Sequence, residues 1–152
     1  MTTDLDKQVA VIDGMLEFFD GGKRWITGDL AKDTDGCMVF DMPRPDHTTE
    51  IVAGCCLLGA AAVAYRRVFP EKVEPYADED GWADIDNTVG HIAEDDEPFL
   101  MAIYDAITEA TPRSKNAVTV KIAKYNDDSE GFYDRIERVL IDAKARLLAQ
   151  NA

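Results

Sequence analysis

The chain has 152 residues, 46% of them apolar and 30% charged, which is the size and make-up of a single globular domain rather than of a disordered or membrane-spanning chain. Thirty acidic against 16 basic residues leave a formal net charge of -14, a field that repels phosphate backbones and anionic lipid, so nucleic acid and membrane are excluded as partners without a large basic patch, and the sequence has none. Three cysteines, two of them adjacent, make no disulfide framework, and Met1 to Asp6 lacks the basic and apolar runs of a signal peptide; both features point to a reducing, cytoplasmic location.

Leu5, Val9, Ile12, Leu16 and Phe19 recur at steps of four and three and predict a first helix, capped by Thr3 or Asp4 and ended by Gly21-Gly22. Residues 23 to 48 have no sustained period and predict a long connection, with a turn at Asp33-Thr34-Asp35-Gly36 and a short strand from Cys37 to Phe40. From Ile51 to Tyr65 every residue is apolar or small, too short a run for the roughly 20 residues that cross a bilayer. It predicts instead a buried central helix over about 50-69, with Thr48 or Thr49 as N-cap and Pro70 as its stop.

Residues 71 to 97 hold 11 acids against the single base Lys72, and so carry most of the net charge. Trp82, Ile85, Val89 and Ile92 have helical spacing within this excursion, although its composition also permits a mobile loop, and mutual repulsion predicts that it contributes little to the fold. Phe99, Leu100, Ile103, Ile107 and Ala110 predict a further helix between Pro98 and Thr111-Pro112. Ala117 to Tyr125 alternates, with Val118, Val120 and Ile122 opposite Thr119 and Lys121, and predicts a strand. A last helix starting near Asp128 or Ser129 would bury Phe132, Ile136, Val139, Leu140, Ala143 and Leu147. The predicted fold is one α+β domain, mainly helical, with four or five helices around the central one and a small two- or three-stranded sheet from 118 to 125 and 38 to 40. Without a second strand in the chain, pairing between two copies would make a homodimer.

Several chemistries fail on spacing. Cys56, His91 and Asn126 follow the order of a thiolate, an activating imidazole and an orienting group, but a cysteine two turns into an apolar helix would have its pKa raised rather than lowered. Cys56 is therefore expected to be structural, with Ser costing more than Ala in its place. Asp78, Asp80, Asp84 and Asp86 surround Gly81, yet a calcium loop in that frame would begin at Tyr76 and end at Asn87, without its first and last carboxylates. Two distant histidines and no paired cysteines argue against zinc, and no glycine-rich phosphate loop is present. No catalytic residue, metal or cofactor is assigned.

Three motifs carry a resemblance: Trp25 in Lys-Arg-Trp-Ile-Thr-Gly, Cys56-Leu57-Leu58-Gly59-Ala60, and Tyr125-Asn126-Asp127. Over residues 5 to 65 and 99 to 148 the chain resembles a family of unknown function found in bacteria and their phages. The family pattern is a tryptophan after the first helix, Cys-x-x-Gly-Ala on an apolar helix, and a strand ending in Asn-Asp before the last helix. Cys55 and Tyr125 stand where the family has tryptophan, and the acidic excursion is an insertion. The resemblance implies an architecture and a phage or bacterial origin, and no activity. From the residues themselves, Trp25 is expected to be a core or lid aromatic, Gly59 and Ala60 a helix-packing notch, and Asn126-Asp127 the strand end and the cap of the last helix.

The function these features favour is a small acidic, non-enzymatic accessory protein that binds a basic protein surface, as an inhibitor or nucleic-acid mimic would, through Asp78, Glu79, Asp80, Trp82, Asp84, Asp86, Asp95, Asp96 and Glu97. The alternative is a small-molecule-binding domain or cysteine-dependent enzyme using Trp25, Cys56 and Asn126. An open polar pocket joining those three would favour the alternative, and a dry core around Cys56 would count against it.

Overall fold

The three-dimensional structure, a computed structural model, describes residues 4–108 and 115–150. Among them it is mainly helical: α1 (Asp4–Phe19), α2 (Thr48–Ile51), α3 (Leu57–Val68), α4 (Pro70–Val73), α5 (Ile85–Asp95), α6 (Glu97–Thr108), α7 (Lys115–Asp128) and α8 (Tyr133–Ala149). Four two-residue strands accompany them: β1 (Ala31–Lys32), β2 (Asp41–Met42), β3 (Gly54–Cys55) and β4 (Ala83–Asp84). β1 pairs antiparallel with β3, and β2 with β4, giving two minimal sheets. No helix among the described residues is long and apolar enough to cross a membrane.

α3 is the centre, buried from Leu57 through Arg66 and packed against α1, α5 and α7, while α8 packs on α1 and α6. Its small side chains allow close crossings: a Cβ at Gly14 of α1 would lie 3.4 Å from that of Ala64. The central helix is shorter than the apolar run implies. Thr48 to Ile51 forms a separate turn of helix, the chain then extends through β3, and Cys56 caps α3. Pro70 does end α3 and opens α4. α1 stops at Phe19, and Gly21 and Gly22 adopt φ of 68° and 98°, which turns the chain sharply.

Two strand expectations are corrected. Residues 117 to 125 lie within α7, because Val118, Ile122 and Asn126 are spaced by four and form one buried helical stripe. Val120 is on the opposite face and 62% exposed, so the apparent alternation was two helical faces superimposed. The argument for a dimer through strand pairing goes with it. Cys37 to Phe40 makes only a single bridge, Lys32 to Met38, and β2 starts at Asp41. The last helix begins at Tyr133 rather than near Asp128, and buries Ile136, Val139, Leu140, Ala143 and Leu147, but leaves Phe132 exposed. Ala110, Thr111 and Pro112 lie outside the described residues.

The acidic excursion is folded. Val73, Ala83, Ile85, Val89 and Ile92 are all buried, and each large aliphatic among them supplies on the order of 2 kcal/mol against the repulsion of the neighbouring carboxylates. Its role in the fold is therefore larger than its charge predicts. Arg66, 1% exposed at the end of α3, holds it in place. The guanidinium donates twice to Glu74, at 2.8 and 2.7 Å, and to the carbonyls of Met42 (3.1 Å), Pro43 (2.9 Å) and Gly81.

Candidate functional site

The three motifs meet in space. Asn126, fully buried near the end of α7, accepts through Oδ1 from Trp25 Nε1 at 2.7 Å and from the Leu57 backbone N–H at 3.0 Å. Its Nδ2 donates to the Ile26 carbonyl at 3.0 Å. Asp127 Oδ1 accepts from Gly28 N–H at 2.8 Å. The Asn126-Asp127 pair thus neither ends a strand nor caps α8. It fastens α7 to the Trp25 loop and satisfies one of the free N–H groups at the start of α3.

Cys56 lies at that same helix start, not two turns inside the helix: its Sγ accepts from Gly59 N–H at 3.4 Å and its N–H donates to the Leu30 carbonyl at 3.2 Å. Gly59 is a notch for backbone rather than for another helix, since a Cβ there would lie 1.9 Å from Leu30 O. Ala60 is buried. Burial pushes the Cys56 thiol pKa up and outweighs the helix N–H bonds that would lower it, and the Asp127 charge adds to the rise. His91 stacks on the Tyr76 ring with 4.0 Å between centroids, and no Asn126 polar atom is left to orient it. Every buried side-chain nitrogen and oxygen among the described residues has a partner. Asn126 and Cys56 are buried, Gly28 and Asp127 lie exposed at the edge of the interlock, and Trp25, half-buried, packs on Tyr133 at 5.8 Å.

The acidic residues divide into two sets. Asp78 Oδ1 accepts from the N–H groups of Asp80 and Trp82 at 2.9 Å each and shapes the turn into β4; Trp82 is half-buried. Asp84 caps α5 by accepting from Asn87 N–H at 2.8 Å. Asp96, 5% exposed, accepts from Gln8 Nε2 at 2.7 Å and Tyr65 Oη at 3.1 Å, and so ties the α5–α6 corner to α1 and α3. Glu79, Asp80, Asp86, Asp95 and Glu97 are exposed and take no salt-bridge partner among the described residues. They are the exposed carboxylates of the segment that are left over from building it. No group of three His, Cys, Asp or Glu side chains among the described residues converges as metal ligands.

Two surface depressions flank this framework. One, of about 470 Å³, lies between α1 and α3 and carries Glu17, Arg24 and Arg67. The other, of about 800 Å³, runs between α5 and α7 and carries Asp86, His91 and Glu94. Arg66 as the anchor of the excursion was not among the expected site residues; the available signal was a basic residue near the end of an otherwise apolar helix, just before an acidic stretch.

Compared with protein-family models, with curated proteins and with solved structures, the chain matches none.

Proposed function

We propose that this chain is a small, non-enzymatic accessory protein of phage or bacterial origin whose acidic face engages a basic protein surface, as an inhibitor or nucleic-acid mimic does. The observation that carries this is the contrast between the two sets of carboxylates. Asp78, Asp84 and Asp96 are consumed in building the segment, while Glu79, Asp80, Asp86, Asp95 and Glu97 stand exposed on it. Displaying uncompensated like charges on a folded support costs stability, and a basic partner relieves that cost without having to order a loop.

A cysteine-dependent or small-molecule site on Trp25, Cys56 and Asn126 has less support. Asn126 is spent on Trp25, Ile26 and Leu57, and the Cys56 thiol is held protonated by burial. Replacing Glu79, Asp80, Asp86, Asp95 and Glu97 by Gln or Asn tests the acidic face. Association with a partner captured from host lysate should slow and lose its steep salt dependence, while thermal stability holds or rises. Unchanged rate and salt dependence would reduce the face to a solvated surface.

A further inference from the structure

α7 carries apolar residues on two faces. Val118 and Ile122 are 2% and 0% exposed, whereas Val120 between them is 62% exposed. Val120 thus puts apolar surface on the outer side of α7. It lies on the open groove between α5 and α7, along which Leu30 and Leu58 also sit. The α5 wall is low, because Gly90 and Ala93 form part of it, and a Cβ placed at Gly90 meets nothing within 4 Å. Asp86 and Glu94 stand on the same wall, and α5 has no lysine or arginine.

We propose that this groove docks a basic amphipathic helix of a partner protein. The proposal rests on the acidic-face function and adds the place where the partner's apolar side chains go. Charge complementarity selects a basic occupant: residues 71 to 97 hold 11 acids and one base, and the α5 side of the groove belongs to that segment. The walls select a helix. Both are helices with their backbone groups already bonded, so an extended peptide would find no ladder to join, whereas a third helix satisfies its own N–H and C=O groups. Small residues on the α5 wall allow the close axial approach that helix packing requires, with the occupant's apolar stripe against Val120 and its lysines or arginines toward Asp86.

Two synthetic lysine/leucine peptides of identical composition, one amphipathic at helical period and one scrambled, separate this proposal from the function it rests on. Titrated into the full chain at low salt, the amphipathic peptide should bind about tenfold more tightly, a difference that burial of one or two leucines supplies. Gly90→Leu fills the groove from a position with open space and favours the helix, so it should keep the thermal midpoint while erasing that tenfold preference. Val120→Ser, at an exposed site, should weaken the amphipathic peptide selectively and serves as the second variant. If the two peptides bind alike and neither substitution alters either, the groove is not a docking site, although the acidic face still attracts basic chains. If neither peptide binds at low salt, both proposals fall.

Discussion

Asn126 Oδ1 accepts the indole N–H of Trp25 at 2.7 Å across 101 residues of chain, while the same oxygen takes the first N–H of α3. One buried amide therefore joins the Trp25 loop, the central helix and α7. A shared acceptor of this kind stabilises only while every partner is present, since an orphaned buried donor loses its hydration without recompense.

Asn126→Ala leaves Trp25 Nε1, Leu57 N–H and the Ile26 carbonyl without their partner, and is expected to cost about 3 kcal/mol, read as a shift in the urea midpoint at constant slope. Tryptophan fluorescence should change as well, because Trp25 is one of only two tryptophans. A shift below about 0.5 kcal/mol, the usual range of a featureless surface position, would contradict the structural role.

The position of Cys56 as the cap of α3 reverses the order expected from an apolar run. Ser is a better N-cap than Cys, so Cys56→Ser should change stability by less than about 1 kcal/mol, whereas Cys56→Ala, which loses the acceptor for Gly59 N–H, should cost about 1 kcal/mol. A thiol reagent at neutral pH should label exposed Cys37 at once and reach Cys55 and Cys56 only on unfolding. Rapid modification of Cys56 in the folded chain would restore the case for a reactive thiol.

Gly59→Ala places a methyl 1.9 Å from the Leu30 carbonyl, which is backbone and itself accepts from Cys56 N–H. The loop must withdraw, at a cost of about 2 to 3 kcal/mol. Gly90→Ala, with open space around its Cβ, is the control and should be neutral or stabilising in the same denaturation measurement.

Arg66 and Glu74 give the fold a pH dependence of defined sign. Hydrogen bonding to the guanidinium, followed by its charge, holds the Glu74 pKa below the ordinary value of 4.5, so its contribution is present above that value and is lost as pH falls through the lower, folded pKa. Glu74→Gln should therefore be less stable than the parent at neutral pH, with the difference in thermal midpoint closing below about pH 4.5. Because Glu74 is 41% exposed, the difference at neutral pH should be modest, within about 1 kcal/mol. Arg66→Met, which strips the partner from Glu74 and from three buried carbonyls, should cost on the order of 3 kcal/mol or more. A gap between Glu74→Gln and the parent that did not depend on pH would show that the carboxylate charge is not what Arg66 holds.

Local pattern alone determined much of the framework. The stripe from Leu5 to Phe19, the apolar run from Leu57 onward, the spacing of Ile85, Val89 and Ile92, and the last amphipathic stretch each became a helix, because burying one face of a periodic segment is a local property of sequence. The three motif positions could be picked out one by one, but neither their convergence nor their mutual hydrogen bonding was legible, since Trp25 and Asn126 are 101 residues apart and nothing in the sequence states which N–H a buried amide will meet. The strand expectation over α7 fails for a related reason: period two and period 3.6 cannot be told apart over five residues when a helix is apolar on both sides, as Val118 and Ile122 are on the buried face and Val120 on the exposed one. The acidic excursion shows the same division. Its charge was plain from composition, but only the tertiary structure shows that burial prevails over repulsion: Arg66 gathers Glu74 and the carbonyls of Met42, Pro43 and Gly81 around one buried cation, and the segment's Val73, Ala83, Ile85, Val89 and Ile92 are buried.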